Sequence, residues 1–378
     1  MISMFMLVPL LVCLYEILSM ILPLKISWWV KLFAAIVMFS GFAKSMLYRR
    51  TARGFDVVDM PYSVTLITSF IFNFIIVALF ILLVKDAAYI LWKILARSPF
   101  PGHYASLFVF SIALVATLYG TYEGLRVPDV NRHDVTIPGL GQDLDGMKIA
   151  VLVDIHADAL TNRAAVQRIV DRTNSLKPDV VLIPGDFVDG QVSSRRNDLE
   201  PLSSLHAKLG VYGSTGNHEY YSDYHGWMKV FPELGVRMLM NEHVVLASGD
   251  SELVIAGIPD QTGTAMGYDT RSLTQALESV REGVPVILMD HQPRAAHDNA
   301  KLGVNLQVSG HTHGGQMPGI YSMVKKANAG YVRGWYDVDG MKLYVSPGTS
   351  QWNGFACRIF DPAEITLLTL HTEEAAND

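Results

Sequence analysis

Residues 148–157 read KIAVLVDIHA: an apolar run over Lys148–Val153 that breaks directly into Asp154-Ile155-His156. A short apolar run that ends abruptly in polar residues reads as a buried strand with chemistry at its carboxyl end. The same phrase recurs along the chain. Asp179–Pro184 (DVVLIP) runs into Gly185-Asp186-Phe187-Val188-Asp189, and Gly210–Thr215 into Gly216-Asn217-His218-Glu219. Val284–Met289 precedes Asp290-His291, and Leu306–Ser309 precedes Gly310-His311-Thr312-His313-Gly314-Gly315. Leu253–Ile258 and Lys342–Val345 are further predicted strands. Asn162–Leu176 has apolar Ala165, Val166, Ile169 and Val170 at helical spacing. Strands alternating with helices predict an α/β domain, in which the carboxyl ends of the strands form the ligand crevice.

Eight nitrogen or oxygen groups are thereby sent toward one edge: Asp154, His156, Asp186, Asn217, His218, His291, His311 and His313. Singly, each has a plainer reading; Asp186 could cap a helix, and a lone histidine is usually a hydrogen-bonded residue. The ordered series is what points to metal. Carboxylate, carboxamide and imidazole without thiolate suit Mn, Fe or Zn. Eight groups exceed what one ion takes, so two metals sharing a carboxylate are expected, an arrangement that activates water and clamps both oxygens of a phosphoryl displacement.

In this order the segments resemble the calcineurin-like metallophosphoesterases, whose pattern is D-x-H, GDxxD, GNH[DE], a single His and GHxH. The resemblance covers roughly Arg126–Leu370. The stretches GNHEYYS, HQPRAA, SGHTHGGQ, LYVSPGTS and PAEITLLTL are similar to the bacterial branch with membrane helices before the phosphoesterase. It implies two stacked mixed sheets flanked by helices. By the resemblance, Asp154, His156 and His313 hold one metal and Asn217, His291 and His311 the other, with Asp186 bridging. His218 then binds no metal and stabilises developing charge or protonates the leaving oxygen, a role suited to a group titrating near neutrality.

The chain departs from the family form in places. Val153 and Ala157 flank the first motif where small polar residues are usual, and neither is a ligand. Asp290 precedes His291 where a small apolar residue is usual; it either orients the imidazole or is a solvated side chain. Gln351–Arg358 (QWNGFACR) replaces a glycine- and proline-rich segment, so substrate specificity does not transfer. Glu219, Tyr220, Tyr221, Trp227 and Arg294 lie near the ligands in sequence and either line a substrate cleft or, the plainer reading for each, are packing and surface residues.

Of the 378 residues, 50% are hydrophobic and only 17% charged, with a mean hydropathy of +0.25. A soluble domain carries roughly a quarter charged residues, so neither one soluble domain nor a disordered chain fits. The excess sits in the first third. Met1–Gly124 holds nine basic and five acidic residues; from totals of 30 and 36 this leaves 21 basic and 31 acidic beyond it, a net of −10. No patch is basic enough to bind nucleic acid. Apolar runs at Ile2–Leu24, Ser27–Met46, Tyr62–Val84 and Tyr104–Tyr122 predict about four membrane helices. Lys85–Arg97 has an alternative reading as an interfacial amphipathic helix with snorkelling lysines. Lys44, Arg49, Arg50 and Arg53 favour one orientation and Lys25, Lys31, Lys85, Lys93 and Arg97 the other, leaving the side of the soluble domain undecided. Cys13 and Cys357 are not expected to pair.

The expected organisation is a transmembrane region at 1–124, a polar linker leading into the domain at 125–147, the phosphoesterase domain at 148–372 and a tail at 373–378. The expected activity is a multi-pass bacterial inner-membrane hydrolase of a phosphomonoester, phosphodiester or pyrophosphate, using two metals and acting on a phosphorylated substrate, a lipid-linked one among the candidates. The competing expectation is a non-catalytic membrane sensor or scaffold that keeps the fold but not the chemistry.

Overall fold

A computed structural model describes residues 4–51, 60–96, 98–268 and 270–373. Arg53 and Arg97, and residues 374–378 of the expected tail, lie outside it, as do the side chains of Lys44, Arg49 and Arg50. The chain divides into a helical unit, Met1–Gly124 with Asn353–Ile359, and an α/β unit, Leu125–Trp352 with Phe360–Asp378.

The helical unit contains α1 (Met4–Glu16, continued by a π-turn at Ile17–Ile21), α2 (Trp28–Thr51), α3 (Tyr62–Leu95) and α4 (Gly102–Leu125). Among the described residues, two of these, α3 and α4, are long and apolar enough to cross a membrane; the apolar parts of the other two, Val8–Ile21 and Trp28–Gly41, are shorter. Of the four expected spans, all four appear as helices and two meet the length and composition requirement among the described residues. Lys85–Leu95 is no separate interfacial helix but the last part of α3. At 1.5 Å per residue α3 is about 51 Å long, well beyond the ~30 Å of a hydrocarbon layer, so its charge-free portion ends before Lys85.

Burial in this unit runs opposite to that of a soluble domain. Trp29, Phe33, Val84, Phe108 and Val115 are exposed, while Thr65, Ser69, Asn73, Ser106, Thr117 and Gly120 are buried. The inward residues of α3 recur four apart (Thr65, Ser69, Asn73, Val77), and those of α4 at spacings of three and four (Ser106, Val109, Ala113, Thr117, Gly120, Gly124). Small and polar residues between helices with apolar residues facing outward is the packing logic of helices in lipid.

The α/β unit is two six-stranded sheets. The first runs β1 (Asp129–Thr136), β12 (Glu364–His371), β2 (Lys148–Val151), β3 (Val180–Pro184), β4 (Val211–Ser214), β5 (Arg237–Met238). The second runs β10 (Gly334–Val338), β11 (Met341–Val345), β9 (Leu306–Ser309), β8 (Val286–Met289), β7 (Ser251–Gly257), β6 (Glu242–Ser248). Both are mixed: β2 through β5 and β7, β8, β9, β11 pair in parallel, while β12 against β2, β6 against β7 and β10 against β11 are antiparallel. Ile149, Val151, Val180 and Leu182 from one sheet meet Leu253, Ile255, Ile287, Met289 and Val308 from the other in a shared core. On the outer face of the first sheet, Val166, Ile169 and Val170 of α5 (Arg163–Ser175) pack on Val181 and Ile183. Asn162 caps α5 by accepting from the Ala164 and Ala165 amides.

All seven strands read from apolar runs are present, within three residues at either end. The stretch 125–147 is not merely a linker: it contributes β1, which pairs in parallel with β12 at the edge of the first sheet. DVNRHDVT lacks an apolar run because most of that edge strand faces solvent. Both cysteines are free and buried.

Candidate metal centre and active site

The parallel strands β2, β3, β4, β8 and β9 all end at one edge, and the loops that follow carry the polar residues. Five of these residues are forced into the left-handed region: Asp154 (φ 55°), His156 (φ 45°), Asp186 (φ 55°), His311 (φ 69°) and His313 (φ 46°). Such backbone costs of order 1–3 kcal/mol per residue and persists where function requires it. Two glycines permit the crowding without a strained φ. A Cβ on Gly216 would stand 2.1 Å from Asp186 Oδ1, and one on Gly310 would stand 1.9 Å from Val153 Cγ1 and 2.6 Å from Asp154 Oδ2.

The side chains converge on one another. His156 Nε2 lies 3.1 Å from His313 Nε2, 3.6 Å from Asp186 Oδ2 and 3.9 Å from Asp154 Oδ1. His291 Nε2 lies 3.1 Å from both Asp186 Oδ2 and Asn217 Oδ1, and His311 Nδ1 lies 2.8 Å from Asn217 Oδ1. Ligands held ~2.1 Å from a common ion, at right angles or tetrahedrally, stand about 3.0–3.4 Å apart. The observed spacings bracket that range, so the donor sets Asp154–His156–His313 and Asp186–His291–His311 are each able to hold an ion. Asp186 Oδ2 reaches His156 on one side and His291 on the other, as a shared carboxylate would.

The supports around these donors fix their aim. His291 donates from Nδ1 to the Pro184 carbonyl at 2.9 Å, leaving Nε2 for the site. The His311 amide donates to both oxygens of Asp154 at 3.2 and 3.0 Å. Glu219 is an organiser rather than a ligand. Its carboxylate accepts from the amides of Asp186, Phe187 and Gly216, tying two ligand loops together. The groups are also in forms that bind cations. Burial opposes the charge on Asp186, but the imidazoles of His291, His218 and His156 outweigh it and hold the carboxyl well below its usual range. Burial and the neighbouring His291 push His311 down to about 3, keeping it neutral.

His218 is set apart from the donors. Its amide donates to Asp186 Oδ1 at 2.8 Å, and its ring stands 4.6 Å from that of His156. Nδ1 is 2.5 Å from Asp189 Oδ1, while Asp189 Oδ2 lies 3.2 Å from His156 Nδ1. Burial disfavours the imidazolium, yet the carboxylates of Asp189 and Asp186 override it and raise His218 to about 9.

The chain is similar to known proteins. The family profile Calcineurin-like phosphoesterase matches residues 147–315. A Danio rerio protein named "Transmembrane protein with metallophosphoesterase domain" is 31% identical over 333 residues, 84% of this chain and 76% of that one. A Bos taurus protein of the same name is 35% identical over 271 residues, covering 68% and 61%. An uncharacterized metallophosphoesterase of Campylobacter jejuni is 31% identical over 350 residues, covering 89% and 88%. This chain belongs to the calcineurin-like phosphoesterases.

Within this phosphoesterase all eight residues singled out in the sequence meet at one place. Asp189, the last residue of the GDxxD segment, stands between the imidazoles of His156 and His218, and its spacing from Asp186 is its signal in the sequence. The Asp290 carboxylate is neither solvated nor turned to the His291 imidazole. It is buried and paired bidentately with Arg271 at 2.6 Å for each bond, with Asn299 donating to it at 2.8 Å. Tyr220 and Trp227 are packing residues, Tyr220 stacked on Tyr224 and Trp227 donating to the Gly190 carbonyl. Tyr221 and Trp352 stand edge-on to His218, at ring separations of 5.4 and 6.0 Å. Arg294, an exposed side chain, donates to the Ala327 carbonyl at 2.7 Å.

Proposed function

We propose that the protein is a membrane-anchored, two-metal phosphoesterase. Asp154, His156 and His313 hold one ion, Asn217, His291 and His311 the second, and Asp186 is shared. The observation that carries this reading is the convergence of two donor sets beside a histidine that a carboxylate holds ready. When bound, the metals supply a water acidified toward neutrality and offset charge on the phosphoryl oxygens.

The chain's own residues perform the remaining work. Asp189 fixes the His218 ring through Nδ1, so Nε2 is the nitrogen presented to the substrate. Because its affinity for protons is raised, His218 holds a proton at Nε2 and delivers it to the oxygen of the departing group. Asp189 then stabilises the ring through both protonation states. His291, held through Nδ1 by the Pro184 carbonyl, keeps Nε2 pointed at the shared carboxylate. The substrate is a phosphomonoester, phosphodiester or pyrophosphate. A lipid-linked one is favoured by the outward-facing apolar surface of the helices, which also supports a multi-pass cell-membrane location.

A non-catalytic scaffold would have no reason to keep five strained ligand-loop residues together with the Asp189–His218 pair. The test is the Asn217→Ala variant, assayed on an aryl phosphodiester with Mn²⁺ present. Activity should fall at least a hundredfold with the fold retained by circular dichroism; unchanged turnover would refute the assignment.

A further inference from the structure

Two buried carboxylates tie ligand loops together in the α/β unit, one in each sheet. Glu219 does so for the loops after β3 and β4, through their amides. Asp290 does so for the loops after β8 and β9, which carry His291 and His311, through a closed ring of side chains. Asn299, on the short helix Ala296–Ala300, gives one Nδ2 hydrogen to Asp290 Oδ2 at 2.8 Å and the other to Gln307 Oε1 at 2.9 Å. Gln307 Nε2 donates to Ser309 Oγ at 2.9 Å, and Ser309 Oγ donates to the Asp290 carbonyl at 2.5 Å, closing the ring on the residue where it began. Arg271 completes the bonding of the carboxylate with its bidentate pair. Its own backbone is held as well. The Arg271 amide donates to Thr264 Oγ1 at 3.1 Å, and Asn241 bonds the Thr270 carbonyl at 2.7 Å and the Ser272 amide at 2.8 Å.

Packing alone does not call for this ring. Leu306 and Val308 face the core between the sheets, so Gln307 points to the opposite face. Its register partners there, Leu288 and Leu343, belong to an apolar cluster with Val254, Ala256 and Val286. Asp290, Gln307, Ser309 and Asn299 are all buried. An amide buried in such a layer is costly unless bonded, and a buried ion pair is commonly matched or bettered in stability by apolar residues of similar volume. What the ring does hold is backbone beside the ligands. Asp290 immediately precedes His291, Ser309 stands two residues before His311, and the Gly310 amide donates to the His291 carbonyl at 2.9 Å. The two imidazoles so carried converge on one atom, Asn217 Oδ1, at 3.1 and 2.8 Å.

We infer that Asp290, Arg271 and Ser309 are positioning residues for the second metal, fixing the separation of His291 and His311 through their backbone. This rests on the two-metal reading above. Asp154 and His156, two donors of the first ion, come from the loop after β2, which none of the ring's bonds reaches. Loosening the ring therefore weakens the second ion more than the first. Groups that support a metal's ligands are worth about 10–100-fold in affinity.

The experiment strips the full-length protein in detergent with EDTA and titrates it with Mn²⁺. Bound ions are read by loss of the free-ion paramagnetic resonance signal, and the melting temperature of the metal-free protein is taken alongside. The wild type should bind two ions; Asn217→Ala, which lacks a donor to the second, marks the step that belongs to it. The double variant Arg271→Met with Asp290→Ala removes the pair without stranding a charge, and Ser309→Ala removes the donor that closes the ring. In each, the Kd of the second ion should rise about tenfold or more and that of the first stay within about threefold, with the metal-free melting temperature close to that of the wild type. Ser309→Thr keeps the hydroxyl and should restore the second ion; the two Ser309 variants carry the test should the double variant not fold. Wild-type affinity in either variant overturns the role of the residues it replaces. Both ions weakened alike, with a lowered melting temperature, means a structural role only and overturns the inference. A wild type that binds no more than one ion overturns the two-metal reading itself, and this inference with it.

Discussion

Replacing Asp189 by Asn keeps the shape of the side chain and an acceptor for His218 Nδ1–H, but removes its charge. An ordinary imidazole titrates at about 6.5, whereas His218 is raised to about 9 against the opposing effect of burial, with Asp189 the largest contribution upward. The difference of ~2.5 units corresponds to about 3 kcal/mol favouring the protonated ring. Without Asp189, burial is opposed only by the smaller contributions of Asp186 and Glu219, so the ring moves back toward its ordinary value. In the limit of a full return to about 6.5, the protonated fraction at pH 8 drops from about nine-tenths to about 3%, so the loss of the proton donor reaches at most roughly thirtyfold. At pH 6 both enzymes are largely protonated, so the loss there is a few-fold, from orientation alone. The sign follows from the role: the acid works when protonated, so lowering its affinity for protons moves the alkaline limb of kcat to lower pH. Bound cations lower both values together, so the separation between the two enzymes is the quantity to read. The assay is kcat against pH from 5.5 to 9.5 on an aryl phosphodiester at saturating Mn²⁺, which also offsets any loss of metal affinity through His156. A variant whose deficit is the same at pH 6 and pH 8, or absent, would refute the Asp189–His218 assignment.

Three further outcomes are expected. Chelation with EDTA should abolish hydrolysis and lower the melting temperature, because an ion at a hundred times its Kd contributes about 2.7 kcal/mol to the folded state; Mn²⁺, Zn²⁺ or Fe²⁺ should restore both, and an unaltered melting curve would count against a structural ion pair of this kind. Arg271→Ala strands the buried Asp290 carboxylate and should cost about 3–5 kcal/mol, read as a fall in melting temperature in detergent of around 10 °C, with no fall contradicting the role of the pair. The protein should remain in the membrane fraction after high-salt and alkaline carbonate washes, since apolar burial rather than charge holds α3 and α4; release by either wash would contradict membrane insertion.

Much of this was legible in the sequence because the relevant signals are local. KIAVLV and DVVLIP are buried on both faces, so their strands show as uninterrupted apolar runs, and each run ends where its ligands begin. Strands with one solvated face were not legible. β1, β6 and β10 alternate or lie at sheet edges, and DVNRHDVT carries too little apolar character to distinguish strand from linker. In the helical third, length and charge revealed apolar segments but not how far each helix runs without interruption, so four spans were expected where two helices meet the requirement, and α3 absorbed the segment Lys85–Leu95. For the site, the motifs picked out the eight residues that converge, while partners distant in sequence stayed hidden. Arg271 for Asp290 and Asp189 between His156 and His218 both depend on the chain returning to the same place, which spacing along the sequence does not encode.

The central claim is that two metal ions sit among Asp154, His156, Asp186, Asn217, His291, His311 and His313. Its most direct test is the metal content of the purified full-length protein by mass spectrometry, taken beside that of Asn217→Ala prepared identically. The account predicts about two transition-metal ions per chain in the wild type, and loss of about one in the variant together with its activity. A wild type that retains none after supplementation, or a variant that retains both and still turns over, would contradict it.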